Sequence, residues 1–240
     1  MLKILRYSIS AFLLLFSITL HAQDDEESSA DKVPAADTFH QLRVGFDIMK
    51  PILNSKASER KSYDFELDWY HRKELYFVLE GGFGSSYQDS TYLRYSSKNS
   101  FLRVGVSKSI LTKLYPGDWD WAFIGMRYAM GFINRTDAVY TIYDPIFGNS
   151  TGTVPGVNLT AHWLELTGGV KVELYNGIFA GWNIRGRFIL NGKKIRELPP
   201  PYIAGYGRGD KNSIFDFNFY LNYAIRWKRK APVSLATKED

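Results

Sequence analysis

The sequence contains no cysteine, which excludes disulfides, thiolate chemistry and a lipid anchor carried on cysteine. Beyond residue 22 no apolar run approaches 18 residues, so no later membrane-crossing helix is expected. Helical periodicity of useful length is also missing after residue 38. Charge of one sign is in little excess. The net charge is +5, and setting aside Lys3 and Arg6 leaves 28 basic against 25 acidic side chains, or +3. Such a surplus is no electrostatic footprint for nucleic acid. Cofactor motifs are scarce too. "GGFGSS" (81–86) precedes no helix and so lacks the context of a phosphate loop. "RGD" at Arg208–Asp210 is too short to carry meaning. No cofactor and no metal site are expected.

What is present is alternation. In "SIFDFNFYLNYAIRW", Ser213 to Trp227, apolar or aromatic residues at 215, 217, 219, 221, 223, 225 and 227 are separated mostly by polar ones. Period two over this length is a β-strand with one apolar and one polar face. Eight such stretches occur: roughly His40–Leu53, Ser62–Tyr70, Glu74–Tyr87, Ser100–Leu111, Trp119–Asn134, Thr160–Tyr175, Ile178–Asn191 and Ser213–Trp227. The nine prolines fall outside strand interiors or at strand ends, where no ladder hydrogen bond is lost. Connections alternate between short (71–73, 112–118, 175–177) and long (54–61, 88–99, 135–159, 192–212). An up-and-down meander with an even strand count places all short turns at one end. The expected fold is therefore all-β, an eight-stranded antiparallel up-and-down barrel.

The chain starts with a basic segment containing Lys3 and Arg6, an apolar stretch and His21-Ala22-Gln23. Residues 1–22 are expected to be a secretory signal peptide. Residues 23–38, rich in Asp and Glu, read as a disordered arm. The barrel is expected over 39–228 and a tail over 229–240.

Which face looks inward decides the environment. The polar face carries Arg43, Asp47, Asp64, Glu66, Asp68, Glu80, Arg103, Arg127, Glu165, Lys171, Glu173, Arg185, Arg187, Asp216 and Arg226, eight acids and seven bases. Gly45, Gly105, Gly125, Gly169 and Gly181 lie mainly on the same face. Eight strands enclose an interior just wide enough for side chains to fill. Glycines interspersed with long charged residues suit that interior, and a bulky apolar wall suits lipid. The expectation is a transmembrane barrel with its apolar face outward. Asp64, Glu66, Asp68, Glu80, Arg103, Arg127, Glu165, Lys171, Arg185 and Arg187 would form a lumenal ion-pair network, because buried charges must be paired; cation binding by the acids is the alternative. Trp69, Trp119, Tyr175 and Trp227 are expected at the short-turn rim, and Tyr63, Tyr87, Phe132 and Trp163 at the long-loop rim. A three-residue turn, Tyr175-Asn176-Gly177, would pair Glu165 with Arg187.

With these features the chain resembles the small eight-stranded outer-membrane proteins, the OmpX and OmpA-barrel group. It also resembles PorT-like and uncharacterised small Bacteroidota barrels through the Ala22-Gln23 junction and "RVGFDIMKPIL". The resemblance spans about residues 40–227 and implies an exported cell-envelope protein of the Gram-negative outer membrane, porin-like in architecture. Its implied role is non-enzymatic: structural, adhesive or accessory to an envelope machine, as a monomer or complex subunit. Partners would be outer-membrane lipids and lipopolysaccharide, together with an envelope complex, and no nucleic acid. Lys56, Arg60 and Lys61 in one long loop, and Lys193, Lys194, Arg196, Arg208 and Lys211 in another, are the candidate lipopolysaccharide contacts. Two alternatives stay open. One is a lipid A-modifying barrel enzyme using His162 with Ser85, Ser86 or Ser100. The other is a soluble lipocalin-like carrier in the periplasm.

Overall fold

A computed structural model of the chain describes residues 39–57, 59–71, 73–111 and 118–228. The expected signal segment, acidic arm and carboxyl-terminal tail, and most of the 112–118 connection, lie outside the described residues. Eight antiparallel strands close into a barrel. In chain order the strands are β1 (Phe39–Asp47), β2 (Arg60–Tyr70), β3 (Leu75–Asp89), β4 (Leu93–Ser109), β5 (Trp121–Arg135), β6 (Ala138–Ile142), β7 (Ser150–Val154), β8 (Val157–Tyr175), β9 (Ile178–Ile189) and β10 (Ser213–Lys228). Each barrel strand pairs with its neighbours, and β1 pairs with both β2 and β10, which completes the closure. β6 and β7 are not staves. They form a hairpin within the β5–β8 connection whose strand pairing with the barrel is Leu93↔Tyr140 and Arg94↔Val139.

Two connections depart from expectation. The first strand ends at Asp47, and Met49–Lys56 form a helix, α1. Pro51 explains this. In a strand it would cost a ladder bond, whereas in the first helical turn its missing N–H has no intrahelical partner to lose. Asp47 Oδ1 accepts the Met49 N–H at 2.9 Å and starts the helix. Residues 88–99, expected as a long loop, are mostly strand: β3 and β4 pair as far as Asp89↔Arg94.

The β8–β9 turn also differs in detail. Tyr175 pairs with Ile178, so the turn has two residues, Asn176 and Gly177, at φ 38° and 92°. Both angles are positive, as a tight hairpin matched to the strand twist requires. Such a turn alone would put Leu174 opposite Phe179 and reverse every face. A bulge between Glu173 and Tyr175 absorbs one residue, so that Glu173 meets Phe179 and Glu165 meets Arg187. The expected register holds, but a bulge rather than a longer turn sets it.

The face assignment is unambiguous. Leu166 is 55% exposed and Phe217 45%, whereas Arg103, Glu165 and Arg185 are 0% exposed. Long lumenal side chains lie across glycines of the neighbouring strand. Arg127 crosses Gly105 and Lys171 crosses Gly181, where a Cβ would collide with the side chain. Trp119 and Trp163, expected at the rims, are buried instead. Trp163 shares the odd parity of Glu165 and Lys171, and on β8 that parity faces the lumen.

Candidate functional site

The lumen is filled in three layers. At the short-turn end Tyr70, Tyr76, Trp119, Trp121, Phe123 and Phe179 form a buried aromatic cluster. Arg43 is embedded in it, its guanidinium 4.5 Å from the Tyr76 ring centre and 4.4 Å from that of Trp121. The contact places the cation on the negative ring faces. Arg43 Nε also lies 3.5 Å from Asp68.

The middle layer is ionic. Glu80 is its hub, meeting Arg185 at 2.6 Å, Arg103 at 3.1 Å and Arg127. Arg103 reaches across to Asp64 at 3.0 Å and Glu165 at 3.3 Å. Glu165 also accepts the Trp163 indole N–H at 2.7 Å. Lys171 bridges Glu66 and Asp68, the latter at 2.6 Å. Arg187 meets Glu165 at 3.3 Å but lies closer to Asp216, at 2.8 Å. All ten lumenal residues singled out from parity therefore take part in ion pairs, in two groups: Asp64, Glu80, Arg103, Arg127, Glu165, Arg185 and Arg187 in one, and Glu66, Asp68 and Lys171 in the other. The ionic layer also takes in Asp216, expected on the polar face, which meets Lys50 of α1 at 2.9 Å, and Tyr220, whose hydroxyl is 3.1 Å from Arg185. The signal for Tyr220 was its even parity, shared with Asp216 and Asn218 on β10.

The third layer closes the long-loop end. Within residues 192–212, expected as a long outer loop, the apolar members turn inward. Ile195, Tyr202, Ile203, Ala204 and Tyr206 pack against Phe101, Ala129, Ile133, Ala161 and Trp163 of the wall. The apolar members of "LPPPYIAGYGRG" were the sequence signal for this burial. Ile203 and Gly207 exchange backbone bonds of 2.7 and 2.8 Å, closing the loop tip. At that tip Gly205 has φ 77°, and a Cβ there would lie 2.5 Å from the Phe101 ring, so only glycine fits. Asn99 clamps the plug: its Nδ2 donates to Tyr202 O at 3.1 Å, and its Oδ1 accepts the Ala204 N–H at 2.6 Å. Arg187 donates to Tyr206 O at 2.9 Å and ties the plug to the ionic layer. Burial pushes the Tyr206 hydroxyl up to about 12.

The candidate lipopolysaccharide contacts do not form one cluster. All eight side chains are exposed. Arg208 and Lys211 both turn to Asp210, at 2.8 and 3.8 Å, and the Arg208 hydrogen bond holds the Asp210 carboxyl below its usual range. Arg196 binds Asn212. Arg60 lies 5.4 Å from the Tyr202 ring at the mouth, where it lines a pocket of about 530 Å³ together with Arg208. Lys56 ends α1, and Lys193 and Lys194 sit on a single 3-10 turn. Lys61 alone projects from the outer wall of a strand.

The serine and histidine candidates do not meet. His162 Nδ1 is 2.7 Å from the Tyr128 hydroxyl on the outer wall. Ser86 points inward to Ser97 at 2.9 Å and to Tyr202 O at 3.1 Å. Ser100 and His162 lie on β4 and β8, with β5 between them. A nucleophile needs its base within hydrogen-bond reach, and these residues supply no such pair. Among the described residues no group of three or more His, Asp or Glu is arranged to hold a metal.

Fold and interior together define a closed eight-stranded barrel with an apolar outer wall and a lumen packed with charge. The chain belongs to the family described as domain of unknown function DUF6048, whose model matches residues 4–230. No curated protein matches it. Among solved structures it is similar to the N-terminal β-barrel domain of Pseudomonas aeruginosa OprF, at 10% identity and TM-score 0.38 over 79% of this chain and 98% of that one. It is similar to Neisserial surface protein A at 10% identity and TM-score 0.38, over 80% and 96% of the two chains. It is also similar to Ail, the attachment invasion locus protein of Yersinia pestis, at 6% identity and TM-score 0.38, over 79% and 99%.

Proposed function

We propose that this protein is a non-enzymatic outer-membrane barrel, exported by its amino-terminal segment. It serves as a plugged anchor that presents its long-loop end outside the cell. The observation that carries the reading is the inverted polarity. Buried Arg and Glu fill the interior while Phe, Leu, Ile and Trp line the exposed wall. That distribution costs free energy in water and is stable in a bilayer, where unsatisfied backbone forces the strands to close and apolar side chains to face out. Short turns at one end and longer segments at the other set the orientation. A lumen sealed by aromatic, ionic and loop layers argues against solute conduction.

The role within the structural, adhesive and accessory range is favoured by the β6–β7 hairpin. At its tip Ile146 is 81% and Phe147 89% exposed. Asp144 Oδ1 accepts the backbone N–H of both, at 2.8 and 2.9 Å, and so fixes the turn that displays them. An ordered, exposed apolar tip suits capture of a partner rather than idle solvation.

Fractionation tests the anchor reading. The protein should partition with outer membrane, require detergent for release, and migrate differently on gels before and after boiling. Recovery as a soluble periplasmic monomer would overturn the reading. Deleting 138–154 should leave the barrel folded while abolishing partner recovery after crosslinking; an unchanged crosslinked product would reject the role of the hairpin.

A further inference from the structure

Strand register places a polar row on the outer wall that the loop charges do not include. Lys61 pairs with Ser85, Ser85 with Lys98, Lys98 with Asn134, and Asn134 with Asn158. These five residues therefore lie side by side across β2, β3, β4, β5 and β8. The next row toward the short-turn end holds Tyr63, Phe83 and Phe132, paired with Ser100 and Thr160. Two residues along a strand advance about 6.8 Å, so Lys61 stands above Tyr63, and Lys98 above Ser100, which Phe83 and Phe132 flank in an aromatic girdle. Below it the outward residues Leu102, Val104 and Leu164 are apolar and exposed. The row thus marks where the apolar wall gives way to headgroups.

Three features make the row a site rather than a solvated edge. Between β4, β5 and β8 lies a groove of about 490 Å³, lined by Lys98, Asn134, Asn158 and Phe132 among others. The Asn134 amide donates to Asn158 Oδ1 at 2.7 Å, which orients the pair and leaves the Asn158 N–H groups to donate outward. Among the described residues neither Lys61 nor Lys98 makes an ion pair, although Arg208, Lys211 and Arg94 elsewhere at this end all do. The row itself contains no carboxylate. At the usual strand spacing the backbones of the two lysines, two strands apart, stand about 10 Å from each other, and the whole row spans about 19 Å.

We infer that this row is a binding site for the phosphorylated headgroup of a lipid A-type glycolipid in the outer leaflet, with Lys61 and Lys98 on its phosphates and Asn158 on its sugar. The inference rests on the membrane-barrel reading above. Width decides the class of ligand: one phosphodiester headgroup meets one cation, whereas a diphosphorylated disaccharide carrying several acyl chains spans both lysines and lays its chains on the aromatic girdle.

The test uses the full-length protein in mild detergent, with each variant first checked for heat-modifiable migration. Failure of the wild type to fold there would overturn the barrel reading itself, independently of the site. Native mass spectrometry then measures binding of purified bisphosphorylated lipid A, dephosphorylated lipid A and phosphatidylglycerol. The wild type should retain bisphosphorylated lipid A at least tenfold more tightly than either of the others. Folded K61Q/K98Q should lose at least tenfold in affinity and Asn158→Ala severalfold, while K108Q, exposed at the short-turn end of β4, should match the wild type. Wild-type affinity in folded K61Q/K98Q would overturn the site, and equal binding of phosphatidylglycerol would overturn the choice of ligand.

Discussion

Glu80→Gln removes the hub of the ionic layer, and its effect can be worked from the partners each arginine keeps. Arg103 retains Asp64 at 3.0 Å and Glu165 at 3.3 Å. Arg185 retains Glu165 at 3.4 Å and the Tyr220 hydroxyl at 3.1 Å. Arg127 loses the one carboxylate it bridges among the described residues. The cost therefore concentrates on Arg127, a buried charge left unpaired, at about 3–5 kcal/mol. Arg127→Met leaves Glu80 with two arginines and removes one charged hydrogen bond, at about 1.5–3 kcal/mol. In the double variant no stranded cation remains, so its loss should fall short of the sum by at least about 1 kcal/mol. Reversible urea unfolding in lipid vesicles, followed by tryptophan fluorescence, measures all three. Additivity within about 0.5 kcal/mol would refute the hub. The Glu165/Arg187 pair should couple more weakly in the same assay, because Arg187 keeps Asp216 at 2.8 Å when Glu165 is neutralised.

On the outer wall, Leu166→Arg and Phe217→Arg should each cost about 2–4 kcal/mol in bilayer unfolding if they lie at mid-membrane, and Thr160→Arg, near the polar row, much less. In the plug, Asn99→Ala leaves the Ala204 N–H and Tyr202 O without their clamp, at about 1–3 kcal/mol; limited proteolysis should then cut within 199–209, and continued resistance would reject the clamp. At the hairpin tip, the Ile146 and Phe147 N–H groups hold the Asp144 carboxyl below its ordinary value of 3.8. The folded value is the lower one, so this contribution is present above pH 3.8 and lost as pH falls through the folded value. Amide exchange at Ile146 and Phe147 should accelerate only in that acidic window, and Asp144→Asn should remove the pH dependence.

Strand number, closure and face were legible because period-two alternation is strong where one face meets charge and the other meets bulk. β10 shows this best: expected over Ser213–Trp227, it is observed over Ser213–Lys228. Where residue type and parity disagree, parity sets the face, because alternate side chains of a strand point to opposite sides. Residue type places Trp119 and Trp163 at the rims, yet Trp163 shares its parity with Glu165. The inward aromatics Tyr70 and Tyr76 share the parity of Asp68 and Glu80 in the same way. The β6–β7 hairpin stayed hidden because five-residue strands within a long connection carry few alternations. The plug depends on contacts between Phe101 and residues about a hundred positions later, which no local pattern encodes. Lys98, central to the outer row, was within reach: its even parity matches Leu102 and Val104 on β4.

The absence of cysteine makes the central claim directly measurable, because a single introduced thiol is unique in the chain. Bimane-labelled cysteines at 166, 167, 217 and 218, in vesicles containing spin-labelled lipid, report which residues touch acyl chains. Leu166→Cys and Phe217→Cys should be strongly quenched, and Thr167→Cys and Asn218→Cys should not. Quenching in the opposite phase, or at none of the four sites, would contradict an apolar wall facing lipid around a charged interior.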